Sequence, residues 1–130
     1  MADSVSFVGA IPHESEDLPQ LYQVAHVFVI PSAVESQSIV TLEAMASGLP
    51  LVVANGGALG ELVAPDENGF LFTPGNSGEL ARYVVRLLKD PGLARRLGRE
   101  SLLKAGLHRI EVVHQHVVEV YRALQPQPTA

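Results

Sequence analysis

The 130 residues contain no cysteine and no tryptophan, and no lysine or arginine precedes Arg82. Without cysteine there is no disulfide, no thiolate metal site and no cysteine nucleophile. The five histidines offer no ligand pair at helical spacing, because His114 and His116 are two apart and would face different sides of a helix. No metal site is expected. The longest apolar runs, VFVI at 27–30 and LPLVVA at 49–54, fall far short of the ~20 residues that span a bilayer. The amino terminus shows no basic-plus-apolar signal, so a cytoplasmic protein is expected. Basic residues clustered beside aromatics, the footprint of nucleic-acid binding, are also missing: aromatics make up 5% of the chain. Nucleic acid is not an expected partner.

What is present is one domain's worth of apolar sequence, 47% of the chain, enough for one core of moderate size. Charge is divided sharply along it. Ten acidic residues precede Arg82, whereas nine basic residues stand against four acidic ones from Arg82 onward, so the two stretches carry −10 and +5. The later basic residues fall on amphipathic patterns and read as a solvated helical face.

Four short runs, VSFVG (5–9), VFVIPS (27–32), LVVAN (51–55) and GFLFTP (69–74), are β-branched or aromatic and closed by Gly, Pro or Asn. They read as buried strands. DLPQLYQVA, SIVTLEAMAS and ALGELVA between them favour helix. Strand and helix alternating at this spacing predict an α/β fold, a Rossmann-like parallel sheet with flanking helices. Beyond residue 76 the pattern is helical. Asn76 with Glu79 makes a capping pair, and Leu80, Val84, Leu87 and Leu88 share a face. Asp90-Pro91 starts a second helix. A third, over about 109–124, aligns Val113, Val117, Val120 and Leu124. The domain is expected to span 1–124, with QPQPTA at 125–130 a disordered tail.

The most informative stretch is ESQSIVTLEAMASGLPLVVA, residues 35–54. If VFVIPS is a strand, the loop from Ser32 to Gln37 lies at its carboxyl end, where ligands bind open α/β sheets. The helix starting near Ser38, a residue suited to the N-cap, points its first-turn amides at that loop. Those amides lack intrahelical partners and carry partial positive charge, which suits phosphate. Glu35 lies before this anion site and Glu43 just over a turn after it, two acceptors suited to hydroxyls on either side of a phosphate. A nucleotide sugar is such a ligand.

PSAVESQSIVTLEAMASGLPLVVANGGALGELVAPDENGFLFTPGN resembles the Glu-x7-Glu region of retaining GT-B glycosyltransferases of family 4, the group 1 glycosyl transferases. The resemblance rests on the Pro-Ser after the strand, both glutamates, Glu-Ala-Met-Ala-x-Gly-x-Pro, Gly56-Gly57, Glu61 and Asn68-Gly69, and runs from residue 5 to near 105. It implies the partial carboxyl-terminal half of a GT-B fold, the donor-binding part. Carried over by position, it implies that Glu35 contacts sugar hydroxyls near the anomeric carbon and is the catalytic residue, and that Glu43 bonds the ribose. The backbone of Ser36, Gln37, Ser38, Ile39 and Val40 would hold sugar and diphosphate, and Gly9, Ala10, Ile11 and Pro12 would border the base.

The donor would be a nucleotide-diphosphate sugar, with no cofactor and no metal. Gln37-Ser38 stands where aromatic-Gly is frequent in the family, and His26 where Asp is frequent; His26 reads as a surface residue. Gln37 with Ser38 is similar to some membrane-lipid glucosyltransferases, which would put a full-length enzyme at a membrane. The Arg- and Lys-bearing segment that serves the diphosphate in such enzymes, and the amino-terminal acceptor-binding domain, have no counterpart here, so the isolated chain is expected to be inactive. A noncatalytic nucleotide-sugar-binding module working beside a partner chain, and a nucleotide-sugar epimerase of the same fold, are the alternatives. By the same resemblance, the strand beside VFVIPS is missing, which predicts self-association through an exposed sheet edge or rearranged pairing with VSFVG.

Overall fold

The computed structural model describes residues 4–124. Three parallel strands, β1 (Phe28–Ile30), β2 (Leu51–Ala54) and β3 (Gly69–Phe72), form one sheet in the order β1-β2-β3. Phe28 stands opposite Leu51, and Leu51 opposite Gly69. Helices α1 (Asp17–Val24), α2 (Ile39–Ala46) and α3 (Leu59–Leu62) alternate with the strands. After β3 the chain is helical: α4 (Ser77–Lys89), α5 (Pro91–Ala105), a 3-10 turn at Gly106–His108 and α6 (Ile110–Leu124).

The central strand shows why its sequence is an unbroken apolar run. All four residues of β2 are fully buried, as a strand covered on both faces requires. Leu51 and Val53 point to one face, where Ala44, Met45, Leu59, Leu62 and Val63 from α2, α3 and its following residue close over them. Val52 and Ala54 point to the other, joined by Phe70, Phe72, Leu87 and Leu97. Burying each of the larger side chains contributes roughly 1.5–3 kcal/mol.

The starts of α4 and α5 follow the expected chemistry. Asn76 accepts a hydrogen bond from the Glu79 amide at 3.0 Å, while the Glu79 carboxylate accepts from the Thr73 amide at 2.8 Å. Asp90 caps α5 through the Leu93 amide at 2.9 Å, with Pro91 in the first turn. On α4, Leu80, Val84 and Leu87 face the core, but Leu88 is 57% exposed. Tyr83 takes the remaining inward position, its ring stacked on Phe70 at 4.7 Å. An aromatic partner on β3 makes that azimuth the apolar one, which helical periodicity in α4 alone does not reveal.

Two expectations are corrected. VSFVG is not a strand: residues 5–9 are irregular, with Phe7 97% and Val8 68% exposed. Nor does this segment pair with β1. Apolar β-formers need a neighbouring ladder, and among the described residues no strand lies beside them. On α6, Val113, Val117, Val120 and Leu124 line up as expected, yet all are exposed. The expected tail, 125–130, lies outside the described residues.

Candidate functional site

In a parallel sheet the carboxyl ends of all strands meet at one edge, and here that edge gathers two loops. Pro31–Ser38 leads from β1 to α2, and Asn55–Ala58 leads from β2 to α3. Glu35 sits half-buried in the first loop. Among the described residues its carboxylate accepts no hydrogen bond, whereas its main-chain carbonyl accepts one from the Ala58 amide at 2.8 Å. The second loop approaches the first very closely. A Cβ on Gly57 would lie 2.2 Å from the Glu35 carbonyl oxygen, and one on Gly56 would lie 2.3 Å from that of Ala33.

Ser38 occupies the N-cap of α2, but the expected side-chain cap is not made. Its hydroxyl is buried and bonded to the Thr41 hydroxyl at 2.7 Å, turned into the domain. The first-turn amides of α2 are therefore left without a side-chain acceptor, which keeps their partial positive charge available to an anion. Ser36, Gln37, Ile39 and Val40 are exposed around them. Apolar Ile39 and Val40 facing outward at a helix start have no structural explanation within the fold.

Glu43 lies one turn further along α2 and is already occupied. Its two oxygens accept from His13 Nε2 at 2.9 Å and the Tyr22 hydroxyl at 3.0 Å. Burial, then the hydrogen bond to Glu43 and its charge, push the Tyr22 hydroxyl up to about 12. These bonds tie α2 to α1 and to the segment that carries Gly9, Ala10, Ile11 and Pro12, because His13 directly follows Pro12. Gly9 is in the left-handed region at φ 77°, and Ile11 lines an apolar cleft with Val8, Leu21 and Val24. The expected site residues thus fall into two groups, Glu35 to Val40 at one end of α2 and Glu43 beside Gly9–Pro12 on its flank.

Sequence reasoning missed His13, Tyr22 and His108. His108 closes a cleft of about 260 Å³ with Ser36, Gln37, Ser38, Ala58 and Glu61. No local pattern marks these residues, since their partners are tens of positions away. His26, expected at the surface, is exposed. Three of the cations lie elsewhere: Lys104 pairs with Glu67 at 3.0 Å, Arg86 with Asp66 at 3.7 Å, and Arg96 donates to the Asp66 carbonyl at 3.0 Å. Asp66 and Glu67 precede β3, so these contacts are at the opposite, amino-terminal edge of the sheet.

Residues 1–102 match the family described as "Glycosyl transferases group 1". The chain belongs to this family. A curated relative is the MMP alpha-(1->4)-mannosyltransferase of Mycolicibacterium hassiacum, 46% identical over 91 residues, covering 69% of this chain and 22% of that protein. Among solved structures, sucrose-phosphate synthase from Thermosynechococcus elongatus superposes with a TM-score of 0.82 at 37% identity, covering 94% of this chain and 30% of that one. The Anabaena protein HepE in complex with UDP-glucose matches with a TM-score of 0.72 at 33% identity, over 85% of this chain and 31% of that one. The chain thus spans less than a third of the length of each of these three proteins. Its α/β fold with a parallel sheet is that of part of a GT-B glycosyltransferase. Among the described residues no helix is long and apolar enough to cross a membrane.

Proposed function

We propose that this chain is the donor-binding part of a retaining glycosyltransferase of family 4, holding a nucleotide-diphosphate sugar across the carboxyl edge of its sheet. The observation that carries the reading is the Glu35 carboxylate, unbonded among the described residues, beside the side-chain-uncapped start of α2. Family membership and the likeness to a protein solved with UDP-glucose support it.

In this reading the diphosphate rests on the amides of Ser36 to Val40, and Glu35 accepts from sugar hydroxyls near the anomeric carbon. Glu43 meets the ribose, whose hydroxyls replace or share the donors His13 and Tyr22, and Gly9 to Pro12 border the base. Transfer breaks the bond between the anomeric carbon and the phosphate oxygen, leaving the electron pair on the diphosphate. The acceptor hydroxyl attacks from the same face and its proton passes to the departing oxygen, so configuration is retained. Glu35 stabilises the positive charge that grows at the anomeric centre more than it binds the ground state, which is the condition for raising the rate. The scheme uses no metal or cofactor.

The leaving diphosphate also needs cations, and removing one preorganised donor typically costs roughly 2.7–4 kcal/mol of barrier. No lysine or arginine precedes Arg82, and Arg86, Arg96 and Lys104 are engaged at the far edge. The acceptor site, and any cations the diphosphate needs beyond those of this chain, are therefore assigned to residues outside it, and the chain alone is expected to bind donor without transferring sugar. An NMR titration with UDP-glucose tests the placement. Shifts concentrated at the amides of Glu35–Val40 and Gly9–Ile11 support it; shifts confined to α4–α6 contradict it.

A further inference from the structure

We propose that Gly57 is a positioning residue for Glu35: the turn after β2 clasps the loop after β1, and this clasp fixes where the Glu35 carboxylate stands relative to α2. The proposal rests on the donor-site reading above. Three contacts define the clasp. The Ala58 amide donates to the Glu35 carbonyl at 2.8 Å. A Cβ on Gly57 would lie 2.2 Å from that carbonyl oxygen and 2.9 Å from the Glu35 nitrogen. A Cβ on Gly56 would lie 2.3 Å from the Ala33 oxygen. Backbone meets backbone at all three, so no flexible side chain can give way.

The turn itself is held firmly, because it runs between two fully buried residues, Ala54 at the end of β2 and Leu59 at the start of α3. Pro31–Ser38, by contrast, has no regular secondary structure, and Val34, its neighbour to Glu35, is 86% exposed. A side chain at position 57 therefore displaces the Glu35 loop and leaves the turn in place. Gly57 also has φ 53°, a left-handed conformation that asparagine tolerates better than most residues. The two demands are separable. If φ alone matters, asparagine restores the loop; if close approach matters, it fails as alanine does. Gly75 supplies the control, with φ 80° and open space where its Cβ would be.

The test compares the full chain with Gly57→Ala, Gly57→Asn and Gly75→Asn by amide hydrogen exchange and by NMR titration with UDP-glucose. Both Gly57 variants are expected to speed exchange of the Ala58 amide by more than about tenfold while Val52 and Val53 amides stay protected. They should also weaken the UDP-glucose response at Ser36–Val40 by about tenfold or more, with Gly75→Asn changing neither. An Ala58 amide that stays protected in Gly57→Ala overturns the clasp. Loss of protection with an unchanged response to UDP-glucose overturns the positioning role. Recovery of both readouts in Gly57→Asn overturns the close-approach basis. If the wild-type loop ignores UDP-glucose while its Ala58 amide is protected, the clasp stands but the donor reading falls, and the positioning role falls with it.

Discussion

The Tyr22 hydroxyl donates to Glu43 at 3.0 Å, across 21 positions of sequence, and joins α1 to the helix that carries the candidate donor site. Removing that donor tests how much the joint matters. Tyr22→Phe is expected to lower stability by about 1.5 kcal/mol, the low end for a hydrogen bond to a charged group because the pair is partly exposed. Urea unfolding measures it.

The same hydroxyl makes stability depend on alkaline pH. Its value is raised from 10.0 to about 12, by burial first and then by Glu43. The folded state thus holds the proton more tightly than the unfolded state does. The stabilisation is complete below pH 10 and is lost as pH rises towards 12. Thermal unfolding across that window should show a falling midpoint, and Tyr22→Phe should flatten this component of the slope.

Asn68 is the buried polar hinge of the turn before β3. Its side chain accepts from the Ala64 amide at 2.8 Å and donates to the Leu62 carbonyl at 3.0 Å. Asn68→Ala strands both groups and should cost roughly 3 kcal/mol, read as a lower denaturation midpoint with an unchanged slope.

These contacts mark where sequence legibility stops. VFVIPS, LVVAN and GFLFTP could be read as strands from their β-branched and aromatic composition, but VFVIPS is not the buried strand expected: β1 stands at the edge of the sheet with Val29 exposed, and only β2 is buried along its whole length. The Asn76 and Asp90 caps could be read because their partners lie three residues away. VSFVG has the same composition and is not a strand, since pairing depends on a neighbour that no local pattern specifies. Glu35 and Glu43 stood out through motif context, and their placement on and before α2 agrees with the expected helix start. The hold of Gly57 on Glu35, and of His13 and Tyr22 on Glu43, is set by chain crossings more than 20 residues apart, and periodicity carries no trace of it.

In an enzyme context containing the acceptor and cation-bearing residues, the two glutamates should separate kinetically. Glu35→Gln is expected to cut turnover strongly, and Glu43→Gln mainly to weaken donor binding, each lost charged bond costing roughly 1.5–3 kcal/mol. Steady-state kinetics with both variants at wild-type kcat and KM would contradict both roles.

Strand β1 is an edge of the sheet, with Val29 38% exposed. An unblunted edge with apolar surroundings templates further strands, so light scattering is expected to show oligomers that increase with protein concentration. A Val29→Lys substitution, which places a charge on that edge, should shift the distribution towards monomer.

On the proposed reading, the carboxyl edge of this sheet binds a nucleotide-diphosphate sugar through an incomplete set of phosphate contacts. Calorimetric titration of the purified chain with uridine- and guanosine-diphosphate sugars, with light scattering on the same samples, tests it most directly. Binding near millimolar, about −4 kcal/mol, is expected, weakened further by Glu35→Gln. Micromolar binding by a monomer, or millimolar binding indifferent to Glu35→Gln, would contradict it.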